Sequence, residues 1–362
     1  MANLKNSKLN KSTVNSLITY GIAGAFFAIM LILSETGVLS SHLKGLLVPI
    51  SIYIILAVSL NLVVGILGEL SLGHAGFMCV GAYMSSFFSV ATEDIITNDG
   101  LRFFIALLIG GCCAAVFGVL IGIPVLRLNG DYLAIVTLAF GEIIKNIFQI
   151  LYVGIDSEGI KFSITSASDT GLLPDGKMIV KGALGIAGTP HQSTFVIGFI
   201  IVFITLFVSL NLINSRTGRA VMSIRDNRIA AESIGINVAK YKLMVFTISA
   251  FFAGLAGVLY SHNLSSLTAS SNSFGYNVSI LILVLVVLGG IGSIRGSFIS
   301  AIILTALPEL LREFNDYRML IYAVLLIAMM IINNNDKIKG KISVKRFFEN
   351  RKNGKMAQGG NV

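Results

Sequence analysis

Apolar runs about twenty residues long and free of charge recur along this chain, and they leave it few ways to fold. A bilayer core about 30 Å thick is crossed by roughly 20 helical residues. Runs near that length extend from Leu17 to Leu33, Leu46 to Gly68, Leu70 to Val90, Phe103 to Leu126, Ser193 to Ile213, Leu243 to Ser261 and Tyr276 to Ile294. Tyr132 to Val153 also qualifies by length but contains Glu142 and Lys145, and two later runs, Ser297 to Leu311 and Met319 to Ile332, are shorter. The expectation is an all-α fold, a polytopic transmembrane helical bundle of about ten spans. Composition agrees: apolar residues make up 55% of the 362 and charged residues 12%, too few to build a soluble surface over the apolar part.

Orientation follows from the basic residues, because Lys and Arg near helix ends are retained on the cytoplasmic side. With the N-terminus inside, the inner segments hold nineteen Lys and Arg and the outer ones seven. Both termini are therefore expected in the cytoplasm, with residues 1–16 and 333–362 as basic tails around a membrane domain over 17–332. Lys5, Lys8 and Lys11 ahead of the first run imitate a signal peptide, but the run ends in Ser34, Glu35 and Thr36 without a small-x-small cleavage site, so it reads as a retained span. The net charge of +9 sits in loops and tails, where it implies contact with membrane lipid and no nucleic acid. Cys79, Cys112 and Cys113 lie in apolar runs and give neither a disulfide framework nor a zinc site.

Two hydrophilic segments interrupt the spans. Residues 154–192 fall outside and carry the turn formers Gly171, Pro174, Asp175, Gly176, Gly188 and Pro190; their length predicts a small structured external element. Residues 214–242 fall inside. There, Ala220 to Ile234 is expected to form a short surface helix with Val221, Ile224, Ala230 and Ile234 near one face, Arg219, Arg225 and Asp226 towards another, and Gly235 as its stop signal.

The stretch from Gly65 to Ala82 holds glycines at 65, 68, 73, 76 and 81. They suit either close helix packing or a helix broken at membrane depth, with freed backbone lining a cavity. Asn61, Ser71, Gly73, His74 and Gly76 in and before this stretch, with Glu142, are the candidates for a translocation path; for the lone His74, hydrogen bonding within the bundle is the plainer reading. Glu142 and Lys145 stand three apart on one helix and are expected to pair, with Asn146 and Gln149 adding polar groups to a face turned to protein or water. The run from Gly289 to Gly296 is no dinucleotide loop, since a Gly-x-Gly-x-x-Gly begun at Gly290 meets Arg295 where its third glycine belongs; it fits a tight turn between spans. No Walker lysine pattern, nucleophile elbow or zinc-hydrolase histidine pair is present in the sequence, so neither catalysis nor a cofactor on this chain is expected.

Four stretches together resemble the permease subunits of branched-chain amino acid ABC importers, and among them the LivM type. They are Ser59-Leu-Asn-Leu-Val-Val-Gly65 running into Leu70-Ser-Leu-Gly-His-Ala-Gly-Phe77; Gly130-Asp-Tyr-Leu-Ala-Ile-Val-Thr-Leu138 with Gly141, Glu142, Ile143 and Ile144; Gly218 to Tyr241 and Lys242, through Arg225-Asp226 and Ala230-Ala-Glu-Ser-Ile-Gly-Ile-Asn237; and Leu288-Gly-Gly-Ile-Gly-Ser293 with Leu307-Pro-Glu-Leu-Leu311. The resemblance implies a bacterial inner-membrane permease paired with a homologous second permease of the LivH type, two cytoplasmic ATPase subunits and an external substrate-binding protein. It makes the 214–242 segment a coupling loop that docks on an ATPase, with Arg225, Asp226, Arg228, Ala231, Glu232 and Gly235 as its coupling residues. The cargo implied is a leucine-like amino acid, with urea, short amides or other amino acids as alternatives, since related permeases handle them. An ion-coupled secondary carrier is the competing class, because broken Gly-rich helices and intramembrane ionisable groups suit it too. A membrane enzyme ranks last, for want of a nucleophile and base set.

Overall fold

The computed structural model describes residues 11–311, apart from 38, 39, 126, 127, 129, 175 and 265, and scattered positions between 317 and 331. The basic tail 333–362, the first ten residues, Arg127, Asp175, Arg312 and Arg318 lie outside the described residues. Twelve helices are described: α1 (Lys11–Glu35), α2 (Ser41–Asn61), α3 (His74–Ala91), α4 (Asp99–Val125), α5 (Asp131–Ile150), α6 (Phe195–Asn214), α7 (Arg216–Asp226), α8 (Arg228–Ser233), α9 (Val238–Ser261), α10 (Ser271–Phe274), α11 (Tyr276–Gly289) and α12 (Ile294–Leu310). Among the described residues, seven helices are long and apolar enough to cross a membrane. The expected run Leu70 to Val90 stays outside that set: α3 begins only at His74, and across its 18 residues His74, Gly76, Gly81, Ser85, Ser86 and Ser89 dilute the apolar side chains.

The helix over Leu43–Leu67 is the axis of the bundle, with 94% of its most apolar window buried. Helices α6, α9 and α11 pack against it, and α3, α4 and α9 pack against each other at very close range: a Cβ on Gly81 would lie 2.3 Å from the Gly254 carbonyl oxygen, so the two backbones touch. By contrast α4 and α6 present apolar side chains outward at helical spacing, Phe104, Leu108, Val116, Leu120 and Ile123 on the first and Val196, Ile200, Ile204 and Phe207 on the second. Such faces suit acyl chains rather than water. Residues through Thr305 form one compact unit and those from Ala306 a second, in which the described positions from 320 to 331 are helical.

The 154–192 segment is structured, as expected, but as a sheet. β1 (Tyr152–Asp156) and β2 (Gly159–Ser163) form a hairpin, followed by β3 (Lys177–Lys181) and β4 (Ile186–Ala187), and β5 (Ser266–Leu267) joins from the turn after α9. The order is β2-β1-β3-β4-β5, antiparallel throughout. The helical bundle thus carries a small sheet at one end. Asp156 is its organiser: one carboxylate oxygen accepts the Glu158 and Gly159 N–H groups at 2.9 and 3.1 Å, and the other lies 3.0 Å from the Lys161 ammonium. The hydrogen bond from Lys161 holds this carboxyl below the usual carboxylate range.

Candidate functional site

At the end of the bundle opposite the sheet, α2 runs into a wide π turn over Leu62–Leu67 and the chain leaves helical geometry at Gly68, whose φ is +80°. Residues 68–73 are not helical, and α3 resumes at His74. Of the two readings of the glycine run, the helix is therefore broken, and the glycines also let backbones meet. A Cβ on Gly65 would sit 2.3 Å from the Gly292 nitrogen, and one on Gly73 would sit 2.3 Å from the Thr137 carbonyl oxygen. Gly76 meets the backbone of Gly141 in the same way.

Each polar residue of the break has a definite place. Asn61 is fully buried; its carbonyl oxygen accepts the Gly292 N–H at 2.9 Å and its amide donates to Ser297 Oγ at 2.9 Å. The end of α2 is thereby tied to the α11–α12 connection, the tight turn expected from the sequence, with positive φ at Gly290 and Gly292. The start of α3 has no capping side chain of its own, because Gly73 holds that position. Neighbouring helices supply the acceptors: Leu72 N–H donates to Thr137 Oγ1 and Ala75 N–H to Ser279 Oγ. Ser59 donates to the Leu56 carbonyl, leaving its oxygen to accept from His74 Nε2 at 2.8 Å. His74 is therefore hydrogen-bonded within the bundle. The buried Ser71 Oγ has no hydrogen-bond partner among the described residues.

Glu142 lies one residue beyond the Gly141 contact. It pairs with Lys145, as its spacing predicts, and its other oxygen accepts the Tyr276 N–H at 2.7 Å at the start of α11. That placement suits the partial positive charge of a helix N-terminus. Lys145 also donates to Ser271 Oγ at 3.1 Å. Asn61, Ser71, Gly73, His74 and Gly76 are thus gathered about the break, whereas the Glu142 carboxylate is turned to the feet of α10 and α11.

The inner loop folds as two helices where one was expected. Ser215 caps α7 by accepting the Gly218 N–H, and Asn227 both ends α7 and caps α8 by accepting the Ala230 N–H at 3.0 Å. The kink at Asn227 rotates α8, so Ala231 rather than Ala230 is buried with Ile224 and Val238, while Ile229 and Ile234 are 80% and 75% exposed. Gly235, with φ +84°, terminates α8. Arg228 and Glu232 pair one turn apart on its exposed surface at 3.0 Å. Asp226 accepts from the Arg225 guanidinium.

Two connections between loop and break were not foreseen from the sequence. Arg225 reaches back to donate to the Gly65 carbonyl at 3.0 Å, and its stem packs over Gly68. Lys242, counted from the sequence among the cations of the inner loop, is buried and forms an ion pair with Glu69. The signal was present: Glu69 is a lone acid between two apolar runs and needs a cation from the same end of the bundle. A cavity of about 350 Å³ opens beside this pair, lined by Gly68, Glu69, Asp131, Arg225, Arg228 and Lys242 among others. No group of three or more His, Cys, Asp or Glu is placed to hold a metal among the described residues.

A multi-pass membrane protein with a broken central helix, its break bonded to a two-helix polar loop, is the class these features define. The family model described as branched-chain amino acid transport system / permease component matches residues 42–332, and the chain belongs to that family. It is 38% identical over 298 residues to the high-affinity branched-chain amino acid transport system permease protein LivM of Escherichia coli K12, and 36% identical to that of Salmonella typhimurium LT2; each alignment covers 77% of this chain and 66% of the relative. The chain spans just under two thirds of these relatives' length. The ribose import permease protein RbsC of Escherichia coli K12 is 26% identical over 85% of this chain and 90% of its own. No solved structure matches.

Proposed function

We propose that the chain is a LivM-type permease subunit of an ATP-driven importer of branched-chain amino acids. In this reading it works with a homologous LivH-type permease, two cytoplasmic ATPase subunits and an external binding protein. The observation that carries the reading is the inner loop: two short capped helices, whose Ile224 and Ala231 are buried together with Val238 at the start of α9, that present Ile229, Ile234 and the Arg228–Glu232 pair outward. An ion-coupled carrier has no need of such a surface. An ATPase subunit that must push on the membrane domain does, because a rigid element between two spans transmits displacement to both.

The reading carries a mechanism. The binding protein delivers its amino acid at the sheet end, where the exposed Ile160, Phe162 and Leu184 offer apolar contacts. ATP binding moves the loop, and the permease pair alternates between outward-open and inward-open states. The broken helix supplies small residues and freed backbone along the path, with Ser71 offering a hydroxyl not spent within the bundle. ATP does not touch this chain. The asymmetry of basic residues supports a cytoplasmic position for the loop end and both termini.

The test is reconstitution of the chain with its second permease and both ATPases in vesicles, with binding protein present. Uptake of radiolabelled leucine that requires ATP, competed by isoleucine and valine but not by urea, short amides or ribose, is the expected result. Uptake driven by an ion gradient without the ATPases would overturn the reading in favour of a secondary carrier.

A further inference from the structure

The inner loop is bonded to the region of the break in the central helix at two points, and the two bonds differ in kind. At the middle of the loop, Arg225 donates to the Gly65 carbonyl, a backbone acceptor exposed by the π turn. At the far end of the loop, in the first turns of α9, Lys242 pairs with Glu69 inside the break. Their side chains are 3% and 13% exposed, so the pair lies in a low-dielectric setting where an unpaired charge is costly. The same break is tied by Asn61 to the α11–α12 turn. Loop, broken helix and the turn before α12 therefore meet within the span from residue 61 to residue 69.

We infer that the Glu69–Lys242 pair and the Arg225–Gly65 bond form the joint that carries displacement of the inner loop into the broken helix. Glu69, Lys242 and Arg225 are positioning residues: none of them presents its bonded group to a partner. The inference rests on the proposed function and adds to it, since it separates the groups that grip the membrane helix from Ile229, Ile234, Arg228 and Glu232, which face outward. The non-helical residues 68–73 are the natural moving part, because six residues freed from α-helical hydrogen bonding can shift without unwinding α2 or α3. The adjoining cavity gives the joint room to move.

The experiment uses the full reconstituted assembly and reads ATP hydrolysis, leucine uptake and retention of the ATPases together. For Glu69→Gln and for Lys242→Gln, the ATPases are expected to be retained and hydrolysis to stay within about twofold of wild type, while uptake falls about 5- to 100-fold, the usual range of coupling between sites. The exchanged variant, Glu69→Lys with Lys242→Glu, restores the pair and is expected to recover uptake to within about threefold of wild type. If the Gln variants fail to reach the membrane, Arg225→Lys, at a rim position open to water, is read instead and should lower uptake per ATP by about 5-fold or more. Wild-type uptake in the variants that insert, or an exchanged variant no better than the single ones, overturns the joint. Absence of ATP-dependent uptake in the wild-type assembly would instead overturn the proposed function.

Discussion

Two acid–lysine pairs lie within the helical bundle, and they do different work. Glu142 and Lys145 stand one turn apart on α5, and each has a second hydrogen bond, from Tyr276 N–H and to Ser271. Glu69 and Lys242 are separated by 173 positions and are more deeply buried. A pair within one helix neutralises two charges and leaves the topology untouched. A pair between distant segments fixes where those segments sit, and here it holds the residue just before α9's apolar run against the break in the central helix. The first solves a solvation problem; the second makes a mechanical connection.

The comparison has measurable consequences, the largest at the distant pair. Lys242→Met leaves the Glu69 carboxylate buried without its cation and should cost about 3–5 kcal/mol, read as loss of the folded fraction in detergent. Lys145→Met should cost less, about 1.5 kcal/mol, because Glu142 keeps the Tyr276 N–H and is partly open to solvent. Equal costs would erase the distinction. Gly68→Ala, which forces a Cβ into left-handed backbone beneath the Arg225 stem, should cost about 1–2 kcal/mol and loosen the loop from the break. Arg228→Ala removes an exposed pair on α8 and should change stability by only about 0.3–0.5 kcal/mol, yet reduce retention of the ATPase subunits.

A third pair extends the comparison to water. The Asp156 carboxyl at the sheet end titrates below its unfolded value because Lys161 bonds its charged form. A carboxyl so depressed stabilises the folded sheet above its unfolded pKa, near 4, and loses that contribution as pH falls through its folded value. Acid opening of the 152–187 sheet, followed by hydrogen exchange of Glu158 and Gly159, should therefore set in below about pH 4. Asp156→Asn should remove that pH dependence, while the bundle helices stay protected throughout.

How much of this was legible in the sequence tracks the distance between partners. The Glu142–Lys145 pair, the turn at Gly290–Gly292 and seven of the expected spans depend on spacing within a short window, and sequence reading found them. The glycine run announced either packing or a break, and only tertiary contacts, such as Gly65 against Gly292, decide that both occur. Asn227 was missed as a cap in mid-loop although Asn is among the strongest helix N-caps, and that error turned Ala230 and Ile234 to the wrong face. The sheet was invisible because β4 and β5 are two residues each and pair across about eighty positions. Ser71, Asn61 and His74 were legible as polar residues in an apolar setting, but the roles of Asn61 and His74 depend on distant partners, Gly292 and Ser297 for the first and Ser59 for the second.

The central claim is that the inner loop and the broken helix behave as one piece through residues 69 and 242. A double-mutant cycle on unfolding stability, with Glu69→Gln, Lys242→Met and the two combined, measures this directly. The account predicts strong non-additivity, the double variant less damaged than the sum of the single ones by about 1.5 kcal/mol or more. Costs that simply add, to within about 0.3 kcal/mol, would contradict it.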